Sequence, residues 1–202
     1  MTPFSRRAFA TAAMASLLAG CGGHPARQTT AAPRSGRRPP PTGVKPARPL
    51  GRSVPVGLRI PAIGVDTPVI RLGLAPDGSV AVPPVTAHDR AGWYRHSPTP
   101  GQLGPSVILG HVTVGGYGDG VFRHLTRLRR GDRVEARLEN GTAAQFDVSA
   151  VRTVAKADFP ADEVYGNVDR PELRLITCGG PRSGDGYLDN VIVFAALTSA
   201  GP

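Results

Sequence analysis

Residues 173–180 read LRLITCGG, and the rest of the chain can be placed around them. Leu173, Leu175 and Thr177 alternate with Arg174, Ile176 and Cys178, the period of two that sends successive side chains to opposite faces of a strand. With the leucine face turned inward, Cys178 faces outward at the end of the strand. Gly179 and Gly180 follow it, and two residues without Cβ atoms let another backbone, such as a peptide, approach the sulfur. The chain has only two cysteines, so a thiol at this position calls for a reason.

Similar apolar runs recur upstream and downstream. VGLRIPAI, VDTPVI, SVAVP, PSVILGHV, DRVEARLE, AAQFDVSAVRTVA, ELRLITC and NVIVFAAL are short, rich in Val, Ile and Leu, and separated by Gly, Pro, Asp and Asn. Some eight strands in one small unit predict an all-β barrel or sandwich. Helical signal is limited to VFRHLTRL, with Val121, Leu125 and Leu128 on one face, and to a turn near PADEVY.

A second strand ends as the first does. The run SVILGH closes on His111, preceded by Gly110. A thiol that attacks an amide needs a proton-transfer partner, and imidazole is the usual one, as base toward the thiol or as acid toward the leaving amine. Cys178 and His111 are therefore the expected catalytic pair.

The N-terminus supplies the compartment. In MTPFSRRAFATAAMASLLAGCGG, Arg6 and Arg7 precede an apolar run over residues 8–20 that is too short to span a bilayer. SRRAFA resembles the twin-arginine address of the Tat export system, and LLAGC resembles a lipobox in which Cys21 is lipidated and becomes the mature N-terminus. The expected division is residues 1–21 as signal, 22–52 as a disordered Pro- and Arg-rich linker, and 53–202 as the catalytic domain. An ordinary cleaved signal peptide is the simpler alternative for the first segment. Lipid on Cys21 leaves Cys178 without an intramolecular partner, and an unpaired thiol in an oxidising compartment reads as a nucleophile or an intermolecular pairing site.

Charge follows the same division. The formal net charge is +9, but nine of the 24 Lys and Arg lie before residue 53, where there is no Asp or Glu, leaving 15 basic against 15 acidic residues beyond it. No nucleic-acid partner is expected of a neutral folded part. The basic linker suits a tether lying against anionic headgroups or wall polymers.

From residue 58 to residue 197 the chain resembles a sortase, and specifically the actinobacterial class F branch. The match is carried by LRIPAIGVDTPVI, GLAPDGSVAVPP, AGWY, GPSVILGHV, VFRHLTRLRRGD and LRLITCGG followed by DNVIVFA. The resemblance implies a closed eight-stranded β-barrel with a minor helix. It also implies a cysteine transpeptidase that cleaves an LPXTG-like sorting signal after Thr and forms a thioacyl enzyme. The acyl group then passes to an amine of a peptidoglycan precursor, with no cofactor. Expected partners are sorting-signal proteins, that amine acceptor and, through lipid on Cys21, the outer face of the cell membrane.

One departure stands out. Sortases use an arginine on the strand after the cysteine to bind substrate and stabilise the oxyanion. Here that strand is entered through GYLDN, with Leu188 and Asn190 at the expected place, and Arg182 is the only arginine after Cys178. Three readings remain: Asn190 donates to the oxyanion, Arg182 folds back to do so, or the enzyme is weak; Asn190 is preferred as the better aimed from a strand start. Two rival readings remain. An L,D-transpeptidase carries its cysteine close after a histidine, whereas 67 positions separate His111 from Cys178. A non-catalytic sortase-like lipoprotein that binds wall peptides fits the missing arginine. His88, His96 and His124 read as loop histidines with no metal-ligand spacing, the scattered loop acids predict no calcium, and Trp93 and Tyr94 read as core packing or a groove wall. GGYGDG, just after His111, reads as a flap over the site.

Overall fold

The first barrel strand alternates as its sequence requires: Leu58 and Ile60 are fully buried while Val56 and Arg59 are exposed. The computed structural model describes residues 47–184 and 186–202. Among these, eight strands close into a barrel: β1 (Pro55–Ile60), β2 (Val65–Leu72), β3 (Ala91–Tyr94), β4 (Gly104–Leu109), β7 (Arg133–Leu138), β8 (Ala143–Ala155), β9 (Pro171–Ser183) and β10 (Gly186–Gly201). Two short strands, β5 (Thr113–Val114) and β6 (Gly118–Asp119), pair with each other outside it. The order around the barrel is β1-β2-β3-β4-β9-β10-β8-β7, with β7 pairing back onto β1. The β2–β3 and β4–β9 pairs are parallel, and both need crossovers.

Every residue of β4 is buried, as expected of a strand covered on both faces. Its inner residue Ile108 joins Leu58, Trp93, Phe146, Leu173, Leu175 and Val193 in the barrel core. Its outer residues Val107 and Leu109 join a second cluster with Ile176, Ile192 and Phe194. That cluster is capped by Val164 of α1 (Ala161–Tyr165), the one α-helix among the described residues. The inward and outward faces of β9 are therefore those its alternation predicts. Upstream of β1, Leu50 packs against the core and donates its N–H to the Gly101 carbonyl at 2.8 Å.

Two local expectations are corrected. SVAVP makes only an isolated bridge, Leu74 to Val80, and AGWY supplies the eighth strand instead. Pro83 and Pro84 have no N–H to give a ladder. In AGWY, by contrast, Trp93 is 1% exposed and its indole N–H finds the Pro98 carbonyl at 3.2 Å, which ties that segment into the core. VFRHLTRL forms turns and one short 3₁₀ segment over Leu125–Arg127 rather than an α-helix. Phe122, Leu125 and Leu128 are all buried there, plugging the barrel end beside His111.

Candidate active site

Parallel pairing of β4 and β9 sets the site. The register runs through Leu109↔Ile176, and Gly110 extends it by donating its N–H to the Ile176 carbonyl at 3.1 Å. β4 ends at Leu109, and His111 follows two residues later, as Cys178 follows Ile176 on β9. Cys178 is a free, half-buried thiol. On its other side the antiparallel register puts Asn190 of β10 directly opposite it, and directly opposed residues share one face of a sheet.

His111 is held by its backbone and by its ring. Its carbonyl accepts the Phe122 N–H at 2.9 Å. The returning chain passes so close that a Cβ on Gly120 would lie 2.3 Å from the His111 carbonyl oxygen, which is why that position is glycine. The ring Nε2 is 2.7 Å from the Pro83 carbonyl oxygen. A carbonyl only accepts, so Nε2 carries a proton, and Nδ1 is the nitrogen left to gain or release one.

Arg182 lies four residues beyond Cys178 on β9, past the left-handed backbone of Gly180 at φ +73°. Its guanidinium stacks over the Tyr187 ring at 5.2 Å. Leu188 is 51% exposed, within the register slip between Tyr187 and Asp189. The glycines after Cys178 are also required by β10. A Cβ on Gly179 would lie 2.6 Å from Val191 Cγ2, and Gly180, at φ +73°, would put one 1.9 Å from an Asp189 carboxylate oxygen. Cys21 lies outside the described residues.

Two cavities lie on this part of the molecule. On the outer face, Val80, Tyr94 and Phe159 pack against the cluster that contains Ile176 of β9. These three, with Leu74 and Tyr165, line an apolar cavity of about 410 Å³. Burial and the neighbouring Tyr94 push the Tyr165 hydroxyl pKa up, so this wall stays neutral. At the barrel mouth a smaller cavity of about 150 Å³ is lined by Arg123, Thr126, Thr177, Cys178 and Tyr187 among others. Arg123 and Thr126 were not legible in the sequence, because a helix over VFRHLTRL would have turned them to solvent. Thr113, in the segment after His111, bonds the Tyr187 hydroxyl at 2.9 Å and ties that segment to β10.

Two other histidines are engaged with tyrosines. The His88 ring lies against Tyr117 at 5.3 Å and that of His96 against Tyr94 at 5.4 Å. Among the described residues, no group of three or more His, Cys, Asp or Glu is placed to hold a metal ion.

Comparison with known proteins shows the family and the fold. The sortase domain matches residues 58–198, most of the chain and all of the site. The chain belongs to the sortase family. Sortases are cysteine transpeptidases. The fold is shared with sortase A of Corynebacterium diphtheriae in its lid-mutant form, at 20% identity and a TM-score of 0.58, over 76% of this chain and 74% of that one. Sortase C-1 of Actinomyces oris aligns at 20% identity and a TM-score of 0.55, over 70% of this sortase and 72% of its own chain. For a Clostridium perfringens sortase D5 transpeptidase the values are 23% and 0.53, with 72% and 78% covered. No curated protein sequence matches the chain.

Proposed function

We propose that this sortase is an exported, class F type enzyme, anchored by lipid on Cys21 and held off the membrane by its Pro- and Arg-rich linker. It cleaves an LPXTG-like sorting signal on the cell-wall side of the membrane and joins the acyl part to a cell-wall amine. The observations that support the reading are Asn190 directly across the ladder from Cys178, and the β4–β9 register ending at Leu109↔Ile176, two residues before His111 and Cys178.

The chemistry uses these three residues, Cys178, His111 and Asn190. The donor peptide lies along the apolar outer face, its apolar residues toward Tyr94, Phe159 and Tyr165, and its scissile carbonyl reaches Cys178. The thiolate attacks the carbonyl carbon, and the resulting oxyanion takes an N–H from the Asn190 amide. His111 passes a proton from Nδ1 to the leaving amine, the C–N bond breaks, and a thioester remains on Cys178. An incoming amine then attacks the thioester, loses a proton to the same nitrogen and displaces the sulfur.

The test is transfer itself. Full-length protein is incubated with LPXTG-like peptides with and without an amine acceptor, with Cys178→Ala and His111→Ala as controls. Amine-dependent product that both substitutions abolish supports the reading. A thiol that reacts with small alkylating agents but never with a peptide carbonyl contradicts it and favours a peptide-binding protein, for which Leu188 in place of a guanidinium would be the reason. Lipidation is read separately, from the mass of the mature N-terminal peptide: an unmodified terminus beyond Cys21 contradicts the tether.

A further inference from the structure

We propose that an arginine-lined cavity on the outer face of β8, β9 and β10 binds the phosphate of an anionic lipid headgroup, holding the barrel against the membrane with Cys178 and His111 at the end turned away from it. The inference rests on the membrane-anchored reading above and adds a contact between the folded domain and the lipid surface.

The cavity, of about 400 Å³, is lined by Arg130, Arg152, Arg170, Arg174, Glu163 and Glu172, with Phe194 among its apolar residues. Four guanidinium groups face two carboxylates, which leaves two positive charges in excess. Arg152 pairs with Glu163 at 2.6 Å, and Arg170 and Arg174 share Glu172. Among the described residues, no carboxylate pairs with Arg130.

The arginines are held in place with donors to spare. Arg174 and Glu172, 3% and 7% exposed, make its buried side. The Arg152 and Arg174 guanidiniums each lie 4.6 Å from the centre of the Phe194 ring, an arrangement that fixes two like charges on one aromatic side chain. An anion beside them offsets their repulsion. Arg170 engages Glu172 through Nε and Arg152 engages Glu163 through Nη2. Both keep further N–H groups for phosphate oxygens, in the forked geometry that arginine favours.

The point where the chain enters the barrel identifies the occupant. β4 begins at Gly104 and leads at its other end toward His111; its six residues span about 20 Å at roughly 3.3 Å each. At the Gly104 end, Leu50 donates its N–H to the Gly101 carbonyl at 2.8 Å and Ser53 donates its own to the Thr99 hydroxyl at 3.3 Å. Gly104 itself donates to the Arg170 carbonyl at 3.2 Å. The N-terminal segment therefore joins the fold at the end that carries Arg170, opposite the end that carries His111. A tether leaving from there leads to the membrane, and basic side chains near an anionic leaflet are drawn to it.

Vesicle co-sedimentation tests the proposal, with the full-length chain carrying Cys21→Ser so that no lipid holds it. The probes are phosphatidylcholine vesicles with and without phosphatidylglycerol, and phosphatidylglycerol is expected to tighten binding. Arg130→Gln, which breaks no ion pair, is expected to weaken that binding about fivefold, and Arg130→Gln with Arg170→Gln about 25-fold. Arg59→Gln with Arg90→Gln removes the same charge from exposed positions outside the cavity and is expected to change it less than about twofold. Arg130→Gln is expected to keep the wild-type melting temperature and its transfer between soluble peptides, and vesicles are expected to leave alkylation of Cys178 by iodoacetamide at its rate in solution. Equal losses in the two double variants reduce the contact to diffuse charge and overturn the cavity site. Calorimetry showing Arg130-dependent binding of inorganic phosphate, without Arg130-dependent binding to vesicles, assigns the cavity to a soluble phosphate and overturns the lipid. Alkylation slowed about tenfold by vesicles places the thiol end against the membrane and overturns the orientation. All three leave the transpeptidase reading intact, and an unmodified N-terminus beyond Cys21 overturns the tether without removing Arg130-dependent vesicle binding.

Discussion

Asn190 stands directly across the β9–β10 ladder from Cys178. An amide fixed at a strand start can be aimed at the oxyanion that develops on the substrate's carbonyl oxygen when the opposite sulfur attacks, and we propose Asn190 for the role of the missing arginine. Asn190→Ala is expected to lower kcat by about 100-fold, the usual loss for one oxyanion donor. Arg182→Ala, removed along the strand and stacked on Tyr187, is expected to cost less than about tenfold. Steady-state kinetics on the two variants checks both. If neither lowers turnover about tenfold, neither residue is the donor.

The contact between His111 Nε2 and the Pro83 carbonyl fixes the ring's tautomer. Nitrogen NMR of the histidine side chains is expected to show His111 protonated at Nε2 when neutral. His111→Gln is expected to lower transfer by 10²–10⁴, roughly the range for loss of a general acid–base group. A neutral ring carrying its proton on Nδ1 would contradict the assignment.

Gly120 makes the position of His111 testable from outside the site. A Cβ there meets backbone, the His111 carbonyl, at 2.3 Å, and backbone cannot swing aside as a side-chain tip can. Gly120→Ala is therefore expected to displace His111 and lower transfer by about tenfold or more, as a misplacement near 1 Å does. Activity and thermal melting of this variant, compared with wild type, separate displacement from unfolding.

Glu172 supports the strand that carries the nucleophile. It is 7% exposed and bonds Arg174, itself 3% exposed. It also pairs with Arg170, and the Arg174 guanidinium lies over Phe194 at 4.6 Å. Glu172→Gln leaves a buried guanidinium without its counter-charge, and unfolding by denaturant is expected to show a loss of about 3–5 kcal/mol. A loss of less than about 1 kcal/mol would mean the pair is screened as surface pairs are.

Cys178 and His111 stand out in the sequence because each closes a short apolar run, although β9 continues past Cys178 to Ser183 and β4 stops at Leu109, two residues before His111. What the sequence could not show were contacts made by loops. SVAVP has the composition of a strand, yet its prolines exclude it from the ladder, and AGWY replaces it because Trp93 reaches both the core and the Pro98 carbonyl. VFRHLTRL has helical spacing, yet the Phe122 N–H goes to the His111 carbonyl, and the segment becomes a plug that turns Arg123 toward Cys178. Alternation placed Thr177 inside, but only the packed structure shows that its hydroxyl has no partner. Gly179 and Gly180 suggested access for a substrate, whereas the nearest claims on their space come from Val191 and Asp189.

The central claim is that Cys178 forms a thioester with a sorting-signal peptide, assisted by His111. Intact-mass spectrometry of the full-length protein, quenched in acid after brief exposure to LPXTG-like peptides without amine, tests it directly. The account predicts a mass increase equal to the acyl fragment ending in Thr, mapped to Cys178, absent in Cys178→Ala and removed on adding an amine. An unmodified Cys178 with every peptide, in protein whose thiol still reacts with iodoacetamide, would contradict it.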